Sequence, residues 1–429
     1  MKIKTLALAV ALAAAAAPAM ATNGYFSHGF GIKAKGMAGV GIAYPADSLA
    51  AATNPAGMVM VGSRMDVGID WFRPDRSASI VGNEPGFGPG MQLNGNYDGN
   101  GDKSFLIPEF GYNRMLSPTS SLGVAVYGNG GMNTRYNDSA FAAGFLGQAG
   151  QDPSGVNLEQ LFVAPTYAMK SGAHAFGISL VFARQQFGAT GLQAFGQATM
   201  APNNLTDKGN DETTGWGVRI GWTGQLSDKV TLGATYASKI DGKFEDYKGL
   251  FAEGGGFDIP ENYGIGIAVK ATPQLTLAAD IQTIKYGSVK SIANPLSKLF
   301  VGNPLGSKDG PGFGWEDVTT YKLAAVYAVD KNLTVRAGYS TNEQPVPSSE
   351  TFFNILAPGV VENHVTLGAT WTLAGGNELS VSYMHAFNKD VKGSNSIPPG
   401  SPMLGGFGGG NANLRMDQDA VGIAYGIKF

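Results

Sequence analysis

From Val230 to the C-terminus, apolar side chains recur at every second position. The runs Val230, Leu232, Ala234, Tyr236, then Leu275, Leu277, Ala279, Ile281, then Tyr321, Leu323, Ala325, Tyr327 each interleave with small or polar residues. Leu333, Val335, Ala337, Tyr339 and Val365, Leu367, Ala369, Trp371 repeat the pattern. A period of two marks a strand with one apolar face. The final run, Val421, Ile423, Tyr425, Ile427, Phe429, holds the alternation to the last residue and ends on an aromatic. With the apolar residues on one face, Arg219, Asp280, Lys322, Arg336 and His364 fall on the other.

Turn signals punctuate these strands in a regular order. Short turns fall at Ser117-Pro118-Thr119, Lys170-Ser171-Gly172, Ser227-Asp228-Lys229, Thr272-Pro273-Gln274, Asp330-Lys331-Asn332 and Ala374-Gly375-Gly376-Asn377. Long Gly-, Asn- and Pro-rich loops lie around 82–102, 137–157, 193–211, 247–256, 288–315, 344–360 and 391–417. Six short turns and seven long loops join fourteen strands. An even count with alternating connections is that of an antiparallel barrel with its short turns periplasmic and its long loops outside.

Composition decides that the barrel sits in a membrane. Only 15% of residues are charged, against roughly 25% in soluble domains, while glycine reaches 63 and aromatics 10%. Beyond the N-terminus no apolar run approaches the roughly 18 residues of a membrane helix. A closed barrel is the other way across, because only it satisfies every backbone group in lipid. The reading is therefore an all-β, transmembrane antiparallel β-barrel of fourteen strands, covering residues 61–429.

The N-terminus follows different rules. Lys2 and Lys4, the apolar run Leu6–Ala17 and Ala19-Met20-Ala21 form a secretory signal peptide over residues 1–21. Residues 22–60 are rich in Gly and Ala and do not alternate, which suits a hatch of short helices plugging the lumen. Tyr25 and Phe26 lead this hatch, and a helical piece from Asp47 to Thr53 stops at Asn54-Pro55-Ala56. Asp47 or Ser48 caps it, and Pro55 forces Asn54 out of helical geometry.

Little catalytic chemistry is available. The formal net charge of −3 leaves no basic footprint for nucleic acid, and the absence of cysteine removes disulfides and thiolate metal sites. His28, His174, His364 and His385 lack metal-ligand spacing, and no nucleophile elbow or phosphate loop is present. We expect no cofactor, no metal, no catalytic residues and no enzyme activity.

The signal peptide, the Gly/Ala-rich segment ending in Asn54-Pro55-Ala56, the fourteen strands and the terminal Phe429 together resemble the FadL/TodX family of outer-membrane transporters. The resemblance implies a monomer in the bacterial outer membrane, among its lipids and lipopolysaccharide. It also implies passive, ligand-gated uptake of hydrophobic molecules such as long-chain fatty acids or hydrocarbons. In the family a kinked third strand opens a lateral exit. Here the third strand, Leu122 to Met132, carries Gly128, Gly130 and Gly131, and glycines inside a strand mark a bend. Asn54, Pro55 and Ala56 then anchor the hatch.

Strand phase supplies lumen candidates for ligand binding. Tyr25 and Phe26 from the hatch, with Phe72, Tyr127, Phe162 and Met384 from the wall, are the apolar ones. The inward charges pair with one another or with the hatch, and one or two of Arg219, Lys322 and Arg336 instead meet a fatty-acid carboxylate by a charge-assisted bond. Phe141, Phe145 and Leu146, on a short amphipathic helix over 139–148, offer an extracellular capture surface beside Leu158 and Leu161. A general diffusion porin, and an outer-membrane lipid hydrolase using His385 with a nearby serine, are the alternatives.

Overall fold

A computed structural model describes residues 23–84, 93–138, 141, 153–400 and 407–429. The signal peptide, Thr22, Phe145 and Leu146 lie outside the described residues. The strands are β1 (Arg64–Val81), β2 (Gly95–Asp98), β3 (Phe105–Ser117), β4 (Ser120–Tyr136), β5 (Ser154–Ser171), β6 (His174–Thr190), β7 (Asp211–Gln225) and β8 (Val230–Ala237). They continue as β9 (Asn262–Lys270), β10 (Leu275–Ile284), β11 (Val318–Ala328), β12 (Leu333–Asn342), β13 (Asn363–Thr372), β14 (Glu378–Val391) and β15 (Asn411–Lys428).

Each barrel strand pairs antiparallel with its sequence neighbour, and β15 returns to β1 from Arg64↔Lys428 to Val81↔Asn411. β2 is a short addition to the extracellular end of β1, so fourteen strands form the closed wall. Every short turn lies where the sequence places it. The loops differ at their edges, because several strands run on past the membrane: β5 already begins at Ser154, and the loop after β8 spans 238–261. An 18-residue strand such as β1 reaches roughly 60 Å, well beyond what a tilted crossing needs.

Strand phase sorts the side chains as the alternation requires. Leu323, Leu367, Tyr321 and Phe429 are 59%, 60%, 53% and 62% exposed on the outer face, while Arg219, Asp280, Lys322, Arg336 and His364 are buried inside. Phe429 stacks on Tyr112 with ring centroids 5.8 Å apart, and its N–H bonds Ser63 O.

The hatch fills the lumen with a short helix, Ile32–Lys35, and two 3-10 turns, Ser48–Ala52 and Pro55–Val59. Asp47 caps the first turn by accepting from Leu49 N. Asn54-Pro55 does more than stop that turn. Pro55 is the first residue of the second turn, where its missing N–H costs nothing, and Asn54 caps it. The wall makes room with inward glycines: a Cβ at Gly177, Gly221, Gly233 or Gly338 would lie within 2.6 Å of Pro55, Asn54, Ile42 or Ala38 atoms. Much of the glycine excess is therefore the space the hatch occupies.

Since the last strand must both alternate and close on β1, Phe429→Ser should reduce barrel assembly. The expected outcome is a lower yield of heat-modifiable, folded protein in membranes, and an unchanged yield would count against it.

Candidate functional site

The hatch is gripped by charges supplied from the wall. β1 turns Asp66 and Asp70 inward between the outward Val67, Ile69 and Trp71, and Glu109 and Glu378 face the same interior. Glu378 binds Lys33, Arg64 at 2.8 Å and Lys428 at 2.6 Å. Lys35 reaches Asp70 at 2.8 Å and Glu109 at 3.7 Å. Glu109 also accepts from Gly31 N and Ile32 N at 3.2 and 2.7 Å. Asp66 holds the Ser48 N–H and hydroxyl at 3.0 and 2.5 Å. Across the lumen, Asp280 accepts from Gly41 N and Ile42 N at 2.8 and 3.0 Å. Breaking one member of such a buried pair strands the other, typically at about 3–5 kcal/mol.

Two of the inward cations take part in this grip: Lys322 donates to His28 O at 2.9 Å and Arg219 to Thr53 O at 3.3 Å. Arg336 instead bonds within the wall, donating to the Thr370 hydroxyl on β13 at 2.7 Å. Asn54 donates to Ile42 O at 2.7 Å and to Trp222 O on β7 at 3.0 Å, while its Oδ1 accepts from Ala56 N at 3.0 Å. Its amide thus ties two hatch segments to the wall. Pro55 and Ala56 are buried beside it.

The tail ahead of this grip is held differently. Residues 23–27 run along β4, with Gly131 N bonded to Tyr25 O and Ser27 N to Asn129 O, each at 2.9 Å. A Cβ at Gly130 would lie 1.8 Å from Tyr25 O, so only glycine lets the backbones approach. One phenol pins the tail from the extracellular side. The Tyr286 hydroxyl accepts from Tyr25 N and Phe26 N at 3.1 and 3.2 Å and donates to Asn23 O. Burial pushes that hydroxyl well above its ordinary pKa, which keeps it a donor.

Tyr25 sits in an aromatic box, 5.1 Å from Tyr286, 5.4 Å from Phe26, 6.0 Å from Trp315 and 6.1 Å from Phe257, centroid to centroid. Trp315 is fixed by donating to Asn354 Oδ1 at 2.5 Å. Phe251 extends the box 4.8 Å from Phe257. Above it, Leu192, Phe195, Leu250, Phe251 and Phe313 line an apolar cleft enclosing about 30 Å³. Phe141 packs edge-on against Phe195 and Phe352 at 5.3 and 5.5 Å beside this cleft.

Beside the tail one ladder of the wall ends early. β3 and β4 pair only up to Phe110↔Val126, although β3 runs back to Phe105 and β4 on to Tyr136. The register of β4 against β5 slips by one residue between Gly128 and Gly130. Phe26 bridges Gly130 from inside. The buried Ile107 packs across the unpaired stretch, where a Cβ at Gly128 would lie 3.3 Å from its Cγ2. Inside it, Phe30 packs on Tyr127 at 4.7 Å and Tyr127 on Phe162 at 5.5 Å.

The apolar residues singled out from sequence, Tyr25, Phe26, Phe72, Tyr127, Phe162 and Met384, all belong to one buried cluster. Within it Tyr25 packs on Phe26, Tyr127 on Phe162, and Phe72 on Phe105 at 6.4 Å. Sequence reasoning missed Phe257, Tyr286 and Trp315, and also the acids Asp66, Asp70, Glu109 and Glu378. The signals were present: aromatics concentrate in the loops 238–261 and 285–317, and β1 alternates Asp with Val, Ile and Trp.

A fourteen-strand barrel filled by its own N-terminal segment, with long loops above and one interrupted ladder, defines the class of hatch-plugged outer-membrane transport barrels. The chain belongs to the outer membrane protein transport family (OMPP1/FadL/TodX), which it matches over residues 10–429. No curated protein matches the sequence. The Pseudomonas putida toluene transporter TodX superposes with a TM-score of 0.68 at 16% identity, over 94% of this chain and 99% of its own. A Pseudomonas aeruginosa FadL homologue gives 0.69 at 16%, and the Ralstonia pickettii toluene transporter TbuX 0.65 at 17%, each with the same 94% and 99% coverage.

Two substitutions separate grip from tail. Asn54→Ala leaves the Ile42 and Trp222 carbonyls without their donor and should cost on the order of 2 kcal/mol, read as a lower unfolding temperature and faster proteolysis of the hatch. Tyr286→Phe keeps the ring but loses the latch, so amide exchange at Tyr25 and Phe26 should rise roughly tenfold with unfolding temperature little changed.

Proposed function

We propose that this protein moves hydrophobic small molecules inward across the outer membrane by a passive route that starts in the loops and leaves sideways through the wall. The carrying observation is the paired arrangement at β4: its ladder with β3 stops at Phe110↔Val126, and the hatch tail occupies the edge this leaves. A solute that wedges into the apolar cleft beside Phe141 next meets the aromatic box. There it competes with the Tyr25 ring. Displacing Tyr25 breaks the short pairing to Asn129–Gly131 and uncovers the path past Tyr127 and Phe162 to the gap. Two of the structural relatives are toluene transporters, and the box is built of the rings that such a solute stacks on. A fatty-acid carboxylate would meet Arg219 or Lys322 beside the Thr53 and His28 carbonyls to which each already donates.

The grip of Lys33, Lys35 and Asn54 holds the rest of the hatch during this cycle, so no ion path opens. The barrel acts as a monomer, surrounded by lipid below and lipopolysaccharide above.

Because the chain has no cysteine, the lateral route is testable with one engineered pair. Ile107→Cys with Gly128→Cys should form a disulfide that ties β3 to β4 above their last pair. Oxidation should abolish uptake of a radiolabelled single-ring hydrocarbon and reduction should restore it; equal uptake in both states would refute the lateral exit. Deleting residues 22–26 should weaken uptake without steady ion current, whereas deleting 22–60 should give a conducting pore. Equal conductance of the two deletions would favour a general porin.

A further inference from the structure

The same gap carries a second apolar layer on its outer side. Phe110 points outward, because its neighbours Glu109 and Gly111 both meet the hatch. Val126 lies outward by the same alternation, between the buried inward residues Ala125 and Tyr127, and Leu161 lies outward beside the inward Gln160 and Phe162. Outer-face residues on the same strands are half exposed, Leu106 at 53% and Leu122 at 51%, yet Phe110, Val126 and Leu161 are only 1%, 0% and 7% exposed. They form a cluster of their own, bordered by Met65, Tyr112, Val124 and Val163.

Its position is specific. Phe110 and Val126 are the last β3–β4 pair, and Leu161 faces Gly128 where the register slips. Hiding an apolar side chain from lipid gains almost nothing, since lipid tails are as apolar as leucine. The burial is instead a matter of local packing: the register slips at Gly128, which has no side chain, and the Phe110 ring packs with Val126 and Leu161 beside it. The same reasoning makes the ring cheap to move, because lipid replaces the contacts it gives up.

We propose that Phe110, closed against Val126 and Leu161, is the outer leaf of the lateral exit and sets the girth of the molecule that leaves. This rests on the lateral route above. A solute that has passed Phe30 and Tyr127 arrives behind the ring, which swings into the bilayer by a side-chain rotation. The exit thus has two leaves, the hatch tail inside and Phe110 outside.

The test is uptake of ethylbenzene and anthracene by cells carrying the full-length protein with Phe110→Ala, Phe110→Leu or Phe110→Trp, with Leu122→Ala as an outer-face control. The anthracene-to-ethylbenzene ratio should rise severalfold in the alanine variant, rise less with leucine and fall with tryptophan, with the control unchanged. If alanine lowers the folded yield, the leucine and tryptophan variants decide. Ratios equal across the folded variants would overturn the proposal while leaving the disulfide result, and with it the lateral route, standing on its own.

Discussion

A backbone group in hydrocarbon has no water to turn to, and this constraint shapes the protein from the wall inward. Pairing β15 with β1 over their full length removes the sheet edges that would otherwise meet lipid. Where β4 leaves β3, the debt reappears, and other parts of the chain meet it. Tyr25 O and Ser27 N serve Gly131 N and Asn129 O, and further out Gly99 O and Gly101 N bond Arg135. The hatch is therefore part of the wall's hydrogen bonding as well as its stopper. A displacement of the tail, as proposed above, would therefore leave Gly131 N and Asn129 O of the wall without their partners.

The two ends of the hatch differ in the kind of force that holds them. Lys33, Lys35, Gly41 and Asn54 are fixed by buried ion pairs and directional bonds to several strands. The tail has a few backbone bonds, one tyrosine hydroxyl and ring contacts. An apolar solute can reproduce ring contacts, but it offers nothing to a carboxylate or an ammonium. The proposed gating by such a ligand therefore falls to the tail.

The gap between β3 and β4 shows how glycine serves two ends at once. Gly128 and Gly130 permit the slipped register, and Gly130 also admits the Tyr25 carbonyl, which any Cβ would strike. Replacing Gly130 with valine would expel the tail as well as stiffen the strand, so effects on uptake from that change report on both.

The sequence by itself determined the architecture. A period of two over Val421 to Phe429 and its fellow runs, short turns alternating with long loops, and a glycine-rich N-terminus define a plugged barrel, because in a bilayer each strand must show lipid one face. It also sorted Arg219, Asp280 and Lys322 to the lumen. What it did not carry was which inward residues meet. Glu378 joins Lys33, and Tyr286 joins Tyr25, across separations of 345 and 261 residues. No local period encodes such pairs. Phe110 makes the point most sharply: alternation assigns it to lipid, and only its packing with Val126 and Leu161 where the β3–β4 ladder ends buries it, since exposure on a barrel depends on neighbouring strands as well as the phase of its own.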